Sequence, residues 1–290
     1  MSCAWSAGRS IRVSPSPNRS VSSRDRLRAL LAGCLAGLAG GLFGVGGGLV
    51  MIPILTGSFK LTQHEAHGTS LAVIGITALV SLIVYAMYSN VGWITAAIVA
   101  PTSLITARLG ARLATKTSQR DLARAFAVAL AVVALRLLWK TPEPNGWHMS
   151  SGAMRLGFDI LLGLGVGIVS GYMGVGGGIL MVPALTLLMG VPQQIAQGTS
   201  LAVMLVAAPA GAIEHSRHDN VLWGLVPLLA VGAVVGGPLA AWSVQQIPHA
   251  ILAKAFAVFL LANAVQTWLR AYRLPRSRSG RRTARARVGS

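Results

Sequence analysis

The stretch Gly44-Val45-Gly46-Gly47-Gly48, followed by Leu49-Val50-Met51-Ile52-Pro53, returns 130 positions later as Gly174-Val175-Gly176-Gly177-Gly178 and Ile179-Leu180-Met181-Val182-Pro183. The register holds without a gap through the surrounding chain. Gly68-Thr69-Ser70-Leu71-Ala72-Val73 answers Gly198-Thr199-Ser200-Leu201-Ala202-Val203, Asn90-Val91 answers Asn220-Val221, and Trp93 answers Trp223. Leu122-Ala123-Arg124-Ala125-Phe126 likewise answers Leu252-Ala253-Lys254-Ala255-Phe256. The chain is therefore two copies of one unit, far longer than the repeats of solenoids or propellers.

Each copy is mostly apolar. Of the 290 residues 53% are hydrophobic and 11% charged, with a mean hydropathy of +0.64. A soluble core cannot hide that much apolar surface, which assigns the chain to a membrane. Crossing about 30 Å of hydrocarbon takes roughly 20 helical residues, and runs 68–88, 91–109 and 122–139 are of that order. Runs 198–213, 221–242 and 250–269 repeat them. Residues 27–59 are too long for one straight crossing, and the glycines with Pro53 are where helix is least favoured.

This predicts an all-α integral membrane protein in which each repeat holds a glycine-broken helical hairpin plus three transmembrane helices. The first repeat spans 27–140 and the second 154–270, joined by a linker at 141–153 with two prolines and a Pro-Asn-Gly turn signal. Tails at 1–26 and 271–290 flank them, basic and with the composition of disordered segments.

Charge fixes the expected topology. The net charge is +18, but six arginines lie between positions 9 and 28 and eight between 270 and 287, so fourteen of the 25 basic residues sit in or directly beside the tails. Such clusters meet anionic lipid headgroups and orient a membrane protein, so lipid rather than nucleic acid is the expected partner. If each glycine break crossed the bilayer, the loop carrying Arg108, Arg112, Lys116, Arg120 and Arg124 would lie opposite the N-terminal tail, against the positive-inside rule. A hairpin that enters and leaves on one side puts this loop and both termini in the cytoplasm. Each copy then crosses an odd number of times, and the two are inverted repeats in the cell membrane.

Inverted repeats with helices broken near mid-membrane are a secondary-transporter architecture. Glycines let a ligand approach the backbone, the first N–H groups of the segment after each break lack helical partners, and the helix dipole adds positive potential. Two such ends meeting between the repeats would hold a small anion. The candidate substrate-binding residues are Gly44, Gly46, Gly47, Gly48, Gly174, Gly176, Gly177 and Gly178, with Thr69, Ser70, Thr199 and Ser200. Pro53 and Pro183 fix the helix breaks, while isolated glycines such as Gly33 and Gly163 suit close helix packing. A soluble phosphate loop is excluded because no Gly-Lys-Ser or Gly-Lys-Thr ending follows.

The Gly-Thr-Ser motifs open the next spans, where one hydroxyl can cap a helix and the second is left for substrate. His67 and Gln197 precede them as candidate proton or substrate contacts. Asp159, the one carboxylate inside an apolar run, lies near Arg155 and is expected in an interfacial ion pair. The sequence leaves open a coupling proton or sodium ion, the transported anion and assembly into a homo-oligomer. Cys3 and Cys34 define neither a disulfide framework nor a metal site, and no cofactor is implied. No Ser-His-Asp or metal-spaced cluster points to an enzyme. A membrane-embedded enzyme or assembly factor, or a passive anion channel of the same architecture, is the alternative.

The duplicated Gly-Val-Gly-Gly-Gly-(Leu/Ile)-(Val/Leu)-Met-(Ile/Val)-Pro and the Gly-Thr-Ser-Leu-Ala-Val after each copy resemble the TauE/SafE sulfite-exporter family of membrane permeases, over about 27–269. The resemblance implies export of a small sulfur-containing or organic anion, such as sulfite or an organosulfonate. It also implies that the glycines, prolines and hydroxyls named above are motif positions.

Overall fold

The computed structural model describes residues 23–114, 119–139, 152–173 and 177–273. Gly174 and Gly176, and most of both tails and the linker, lie outside these residues. Among the described residues all regular structure is helical. The first copy supplies α1 (Ser23–Phe43), α2 (Gly48–Ser58), α3 (Gln63–Met87), α4 (Trp93–Ala114) and α5 (Gln119–Trp139). The second supplies α6 (Gly152–Met173), α7 (Gly178–Met189), α8 (Gln193–Ser216), α9 (Val226–Gln245) and α10 (His249–Arg273) in the same order. The helices overrun the repeat boundaries expected at 27, 154 and 270 by a turn or less.

The copies exchange partners. α1 packs along α9 and, in the matching position, α4 along α6, while α3 pairs with α8 and α5 with α10. Small residues make the first two contacts close. A Cβ on Gly33 would overlap the Leu229 carbonyl, one on Gly37 would meet Ala233, and one on Gly41 would overlap the Gly237 carbonyl, so α1 and α9 run parallel with their backbones touching. Gly163 against Thr102 and Val99, and Gly167 against Ser103 and Thr106, repeat the arrangement between α6 and α4. The packing role expected of Gly33 and Gly163 is the one they have.

α3 and α8 run antiparallel. Gly68 faces His215 and the Asn220 carbonyl, Gly75 faces Pro209, Gly211 faces Leu71, and Gly198 faces Tyr85 and the Asn90 carbonyl. Gly68 with Asn220 and Gly198 with Asn90 are one contact made twice, each partner shifted by the repeat length. Such reciprocal contacts define a two-fold operator. Because it relates two antiparallel helices, its axis is perpendicular to them, which is the geometry inverted copies require.

Among the described residues five helices are long and apolar enough to cross a membrane: Ser23–Phe43, Gln63–Met87, Gln193–Ser216, Val226–Gln245 and, within α10, His249–Leu269. α2 and α7 have 11 and 12 residues, about half the hydrocarbon thickness at 1.5 Å per residue. The chain reverses at the glycines before α2. Gly40 packs on the backbone of Gly46 and Gly47, and Gly47 on the carbonyl of Ala36, which returns α2 along α1 as a hairpin. Trp93 and Trp223 are both 57% exposed, as interfacial anchors are.

The glycine breaks and the seam between the copies

Local chemistry sets each break. Gly44, Gly46 and Gly47 have φ of 66°, 68° and 80°, and Gly177 has 76°, all in the left-handed region that glycine enters without a Cβ penalty. Gly47 and Gly177 stand at the N-cap positions of α2 and α7 and supply no side-chain cap bond. The first N–H groups of these helices therefore keep their hydrogen-bonding capacity, since helical bonding begins only with Val50 and Met51 donating to the Gly47 carbonyl and Leu180 and Met181 to that of Gly177. Pro53 and Pro183 lie inside α2 and α7, not at their ends. Thr56 and Thr186 hydroxyls donate to the carbonyls of Ile52 and Pro53, and of Val182 and Pro183, in the turns after each proline.

The two breaks touch. The position of a Cβ on Gly178 lies 3.1 Å from the Gly44 carbonyl oxygen and 2.8 Å from both Ser200 Oγ and Met204 Sδ. That of Gly46 lies 2.9 Å from Met204 Cε, so one methionine contacts both breaks. On the other side, Gly48 faces Ser70 Oγ at 3.2 Å and Ile74 Cδ1 at 2.7 Å. Ile74 and Met204 are repeat mates. Ser70 Oγ is buried without a hydrogen-bond partner, and Ser200 Oγ has only the Met204 sulfur at 4.0 Å. Gly44 packs against the backbone of Gln197, whose side chain is fully buried. The described surroundings are neutral: glycine backbone, two serines, a glutamine, a tyrosine and apolar side chains. The polar groups there are uncharged amides and hydroxyls.

The four motif hydroxyls divide by role. Thr199 Oγ1 accepts from the Gly92 N–H at 2.9 Å, and Thr69 Oγ1 accepts from the Leu222 N–H at 3.0 Å. Each threonine thus ties its helix to the opposite copy, where the turn after α3 or α8 leaves a backbone donor unpaired. The serines one residue on face the glycines. The motif does not cap its own helix as expected, because α3 begins earlier: Thr62 is the N-cap and, with Glu65, forms a capping box. In α8 the N-cap is Pro192, without a side-chain bond.

The sequence profile of the sulfite exporter TauE/SafE family matches residues 2–137 and again 160–290. The chain belongs to that family. This TauE/SafE protein is 28% identical over 238 residues to a probable membrane transporter protein of Xylella fastidiosa, covering 81% of this chain and 91% of the relative. It is 29% identical over 234 residues to the probable membrane transporter protein YunE of Bacillus subtilis, covering 73% and 86%. A probable membrane transporter protein of Haemophilus influenzae matches at 27% over 266 residues, covering 84% and 98%. No solved structure matches the chain.

In this TauE/SafE member Gly44, Gly46, Gly47, Gly48, Gly177, Gly178, Ser70, Ser200 and Gln197 share one region, and Thr69 and Thr199 border it. His67 lies half-buried in the second turn of α3. Sequence reasoning missed Tyr85, which is fully buried and whose hydroxyl lies 2.8 Å from the Gly41 carbonyl and 3.0 Å from Gln197 Oε1. It also missed Met204 and Ile74. None carries a motif, although a tyrosine in an otherwise aliphatic span needs a hydroxyl partner, and that was a usable signal.

Proposed function

We propose that the protein is a secondary transporter that exports a small anion, sulfite or an organosulfonate, across the cell membrane by alternating access of its two copies. The observation that carries this is the meeting of the two glycine breaks: Gly178 against the Gly44 carbonyl, with the unpartnered Ser70 hydroxyl beside Gly48. Two uncapped helix N-termini at one place favour an anion. A site on a two-fold axis between copies of opposite direction can face either side of the bilayer when one copy rocks against the other. The threonine ties and the glycine-packed helix pairs all lie between the copies, so they are the contacts about which one copy turns on the other. The sulfite exporter description of the family supports a sulfur oxyanion as substrate, and the names of the relatives, probable membrane transporter proteins, support transport alone. The arginine-rich tails and the basic α4–α5 connection support a topology with both termini in the cytoplasm, by the positive-inside rule.

The test is flux of labelled sulfite, sulfate and small organosulfonates in liposomes holding purified protein, with and without a pH gradient. Saturable, stereotyped movement of one of them supports the proposal. Movement of none, by protein shown to be folded, overturns it, and unsaturable flux indicates a passive channel.

A further inference from the structure

The two copies differ in chemistry where α4 meets α6. In the sister contact, α1 against α9, the corresponding positions hold Ala29 and Leu225, both buried in an apolar cluster. Their counterparts 130 positions away are Asp159 on α6 and Thr95 on α4. Asp159 is 0% exposed and is the only Asp, Glu, Lys, Arg or His among the described buried residues. Its Oδ2 accepts from Thr95 Oγ1 at 3.2 Å, while its Oδ1 is buried with no hydrogen-bond partner. Arg155, one turn earlier on α6, donates through Nη2 to the same Thr95 oxygen at 3.4 Å. The expected interfacial ion pair is therefore replaced by a buried carboxyl whose direct partner is a threonine on another helix. Beyond it, the α4 face toward α6 carries Thr102, Ser103 and Thr106, where α9 offers Gly232, Ala233 and Gly236. One of two otherwise matching contacts has thus been made polar along its length.

We propose that Asp159 is a proton-binding site that couples anion movement to the proton gradient, a role that rests on the transporter function proposed above. A buried carboxyl with one oxygen unsatisfied needs a proton or a cation to balance it. Calcium takes six to eight oxygen ligands and magnesium six. Asp159 and Thr95 offer three oxygens, and a guanidinium already donates to one of them, so a proton fits and a metal ion does not. A proton arriving from one bulk phase binds Oδ1 and leaves to the other, with no other bond changed. When it leaves, the Thr95 hydroxyl and the Arg155 guanidinium beside it are placed to hold the charge. Arg155 is the only other charged residue on α6, α7 has none, and those on α4 are Arg108 and Arg112, more than three turns away from Thr95. α6 also reaches the central region. Val166, about 10 Å further along it, is the side chain against which Gly177 packs, at 2.8 Å from its Cβ position.

The test uses the full-length protein in liposomes with labelled methanesulfonate, a permanent monoanion, as probe. Wild type is expected to exchange it without a gradient and to accumulate it about tenfold under one pH unit, the ratio for one proton per anion. Asp159→Asn is expected to keep exchange within twofold while its accumulation ratio falls to one. Undiminished accumulation by D159N overturns the proposal. Infrared spectra of the same membranes give a readout independent of transport: a carboxyl band that titrates with pH in wild type and vanishes in D159N. Thr95→Ala, which leaves the carboxyl in place, is expected to shift the midpoint of that titration. A missing band, or a midpoint unmoved by T95A, overturns the proton site even if no anion moves, whereas absence of wild-type exchange with the band present refutes only the transporter function.

Discussion

Gly178→Ala places one methyl group where the proposed anion is held. On the backbone as it stands, that methyl lies 2.8 Å from Ser200 Oγ, 2.8 Å from Met204 Sδ and 3.1 Å from the Gly44 carbonyl oxygen. The first two atoms belong to side chains that can rotate away, and the third must give by a few tenths of an ångström. Overpacking of this kind costs about 1–3 kcal/mol, and the gain of an alanine over glycine in a helix returns up to about 1 kcal/mol. Gly178 has an ordinary helical backbone, so no strain is added there, and the protein should remain folded with a loss of roughly 2 kcal/mol or less. Transport should suffer far more, because the methyl fills the gap between Ser200 and the opposite break. A tenfold or greater fall in flux at subsaturating anion, about 1.4 kcal/mol or more, is expected. Gly165→Ala on α6 is the control: its Cβ meets nothing within 4 Å, so flux should be unchanged and stability should rise by about 0.5–1 kcal/mol. Initial flux in liposomes, with thermal melting of the same preparations in detergent, decides the matter. If G178A moves anion at the G165A rate while melting normally, the site does not lie between the glycine breaks.

Gly47→Ala should fail to fold rather than fold without transporting, since it combines a φ of +80° with a Cβ driven into the Ala36 carbonyl; loss of the monodisperse peak in gel filtration checks this. Thr69→Val and Thr199→Val each leave a backbone N–H of the opposite copy unpaired, so each should lower stability by about 1–3 kcal/mol, seen as a lower melting temperature with residual transport. Tyr85→Phe removes the hydroxyl that bonds Gly41 and Gln197 and should lower stability by a similar 1–3 kcal/mol, whereas Tyr88→Phe, on an exposed residue, should leave melting unchanged. A reporter fused in the α4–α5 connection near position 118 should label from the cytoplasm, and labelling from outside would reverse the proposed topology.

The features legible in the sequence were those written in local backbone chemistry. Consecutive glycines interrupt a helix, and α2 and α7 do start after Gly47 and Gly177, whereas Pro53 and Pro183, expected to fix the breaks, sit inside those helices. One charged loop and an odd number of crossings gave the expectation of inverted copies, with which the antiparallel course of α3 and α8 agrees, but the pairing of those two helices was not legible. What could not be read depended on contacts between residues far apart in the chain. Thr69 and Ser70 are adjacent and chemically alike, but helical geometry turns one hydroxyl to the Leu222 amide and the other to Gly48. Asp159 stands one turn from Arg155, which suggested an ion pair, yet its Oδ2 accepts from Thr95 on a different helix. The start of α3 was missed although its signal is local: Thr62 and Glu65 are a capping box, obscured by the conspicuous Gly-Thr-Ser that follows.

The most direct test of the central claim is the position of a bound anion, located by anomalous scattering from selenite in crystals of the protein grown at saturating concentration. The account predicts a single peak flanked by the Ser70 and Ser200 hydroxyls and the first N–H groups of α2 and α7, lost in Gly178→Ala. A peak bound elsewhere, with the space between the two breaks empty, would contradict it.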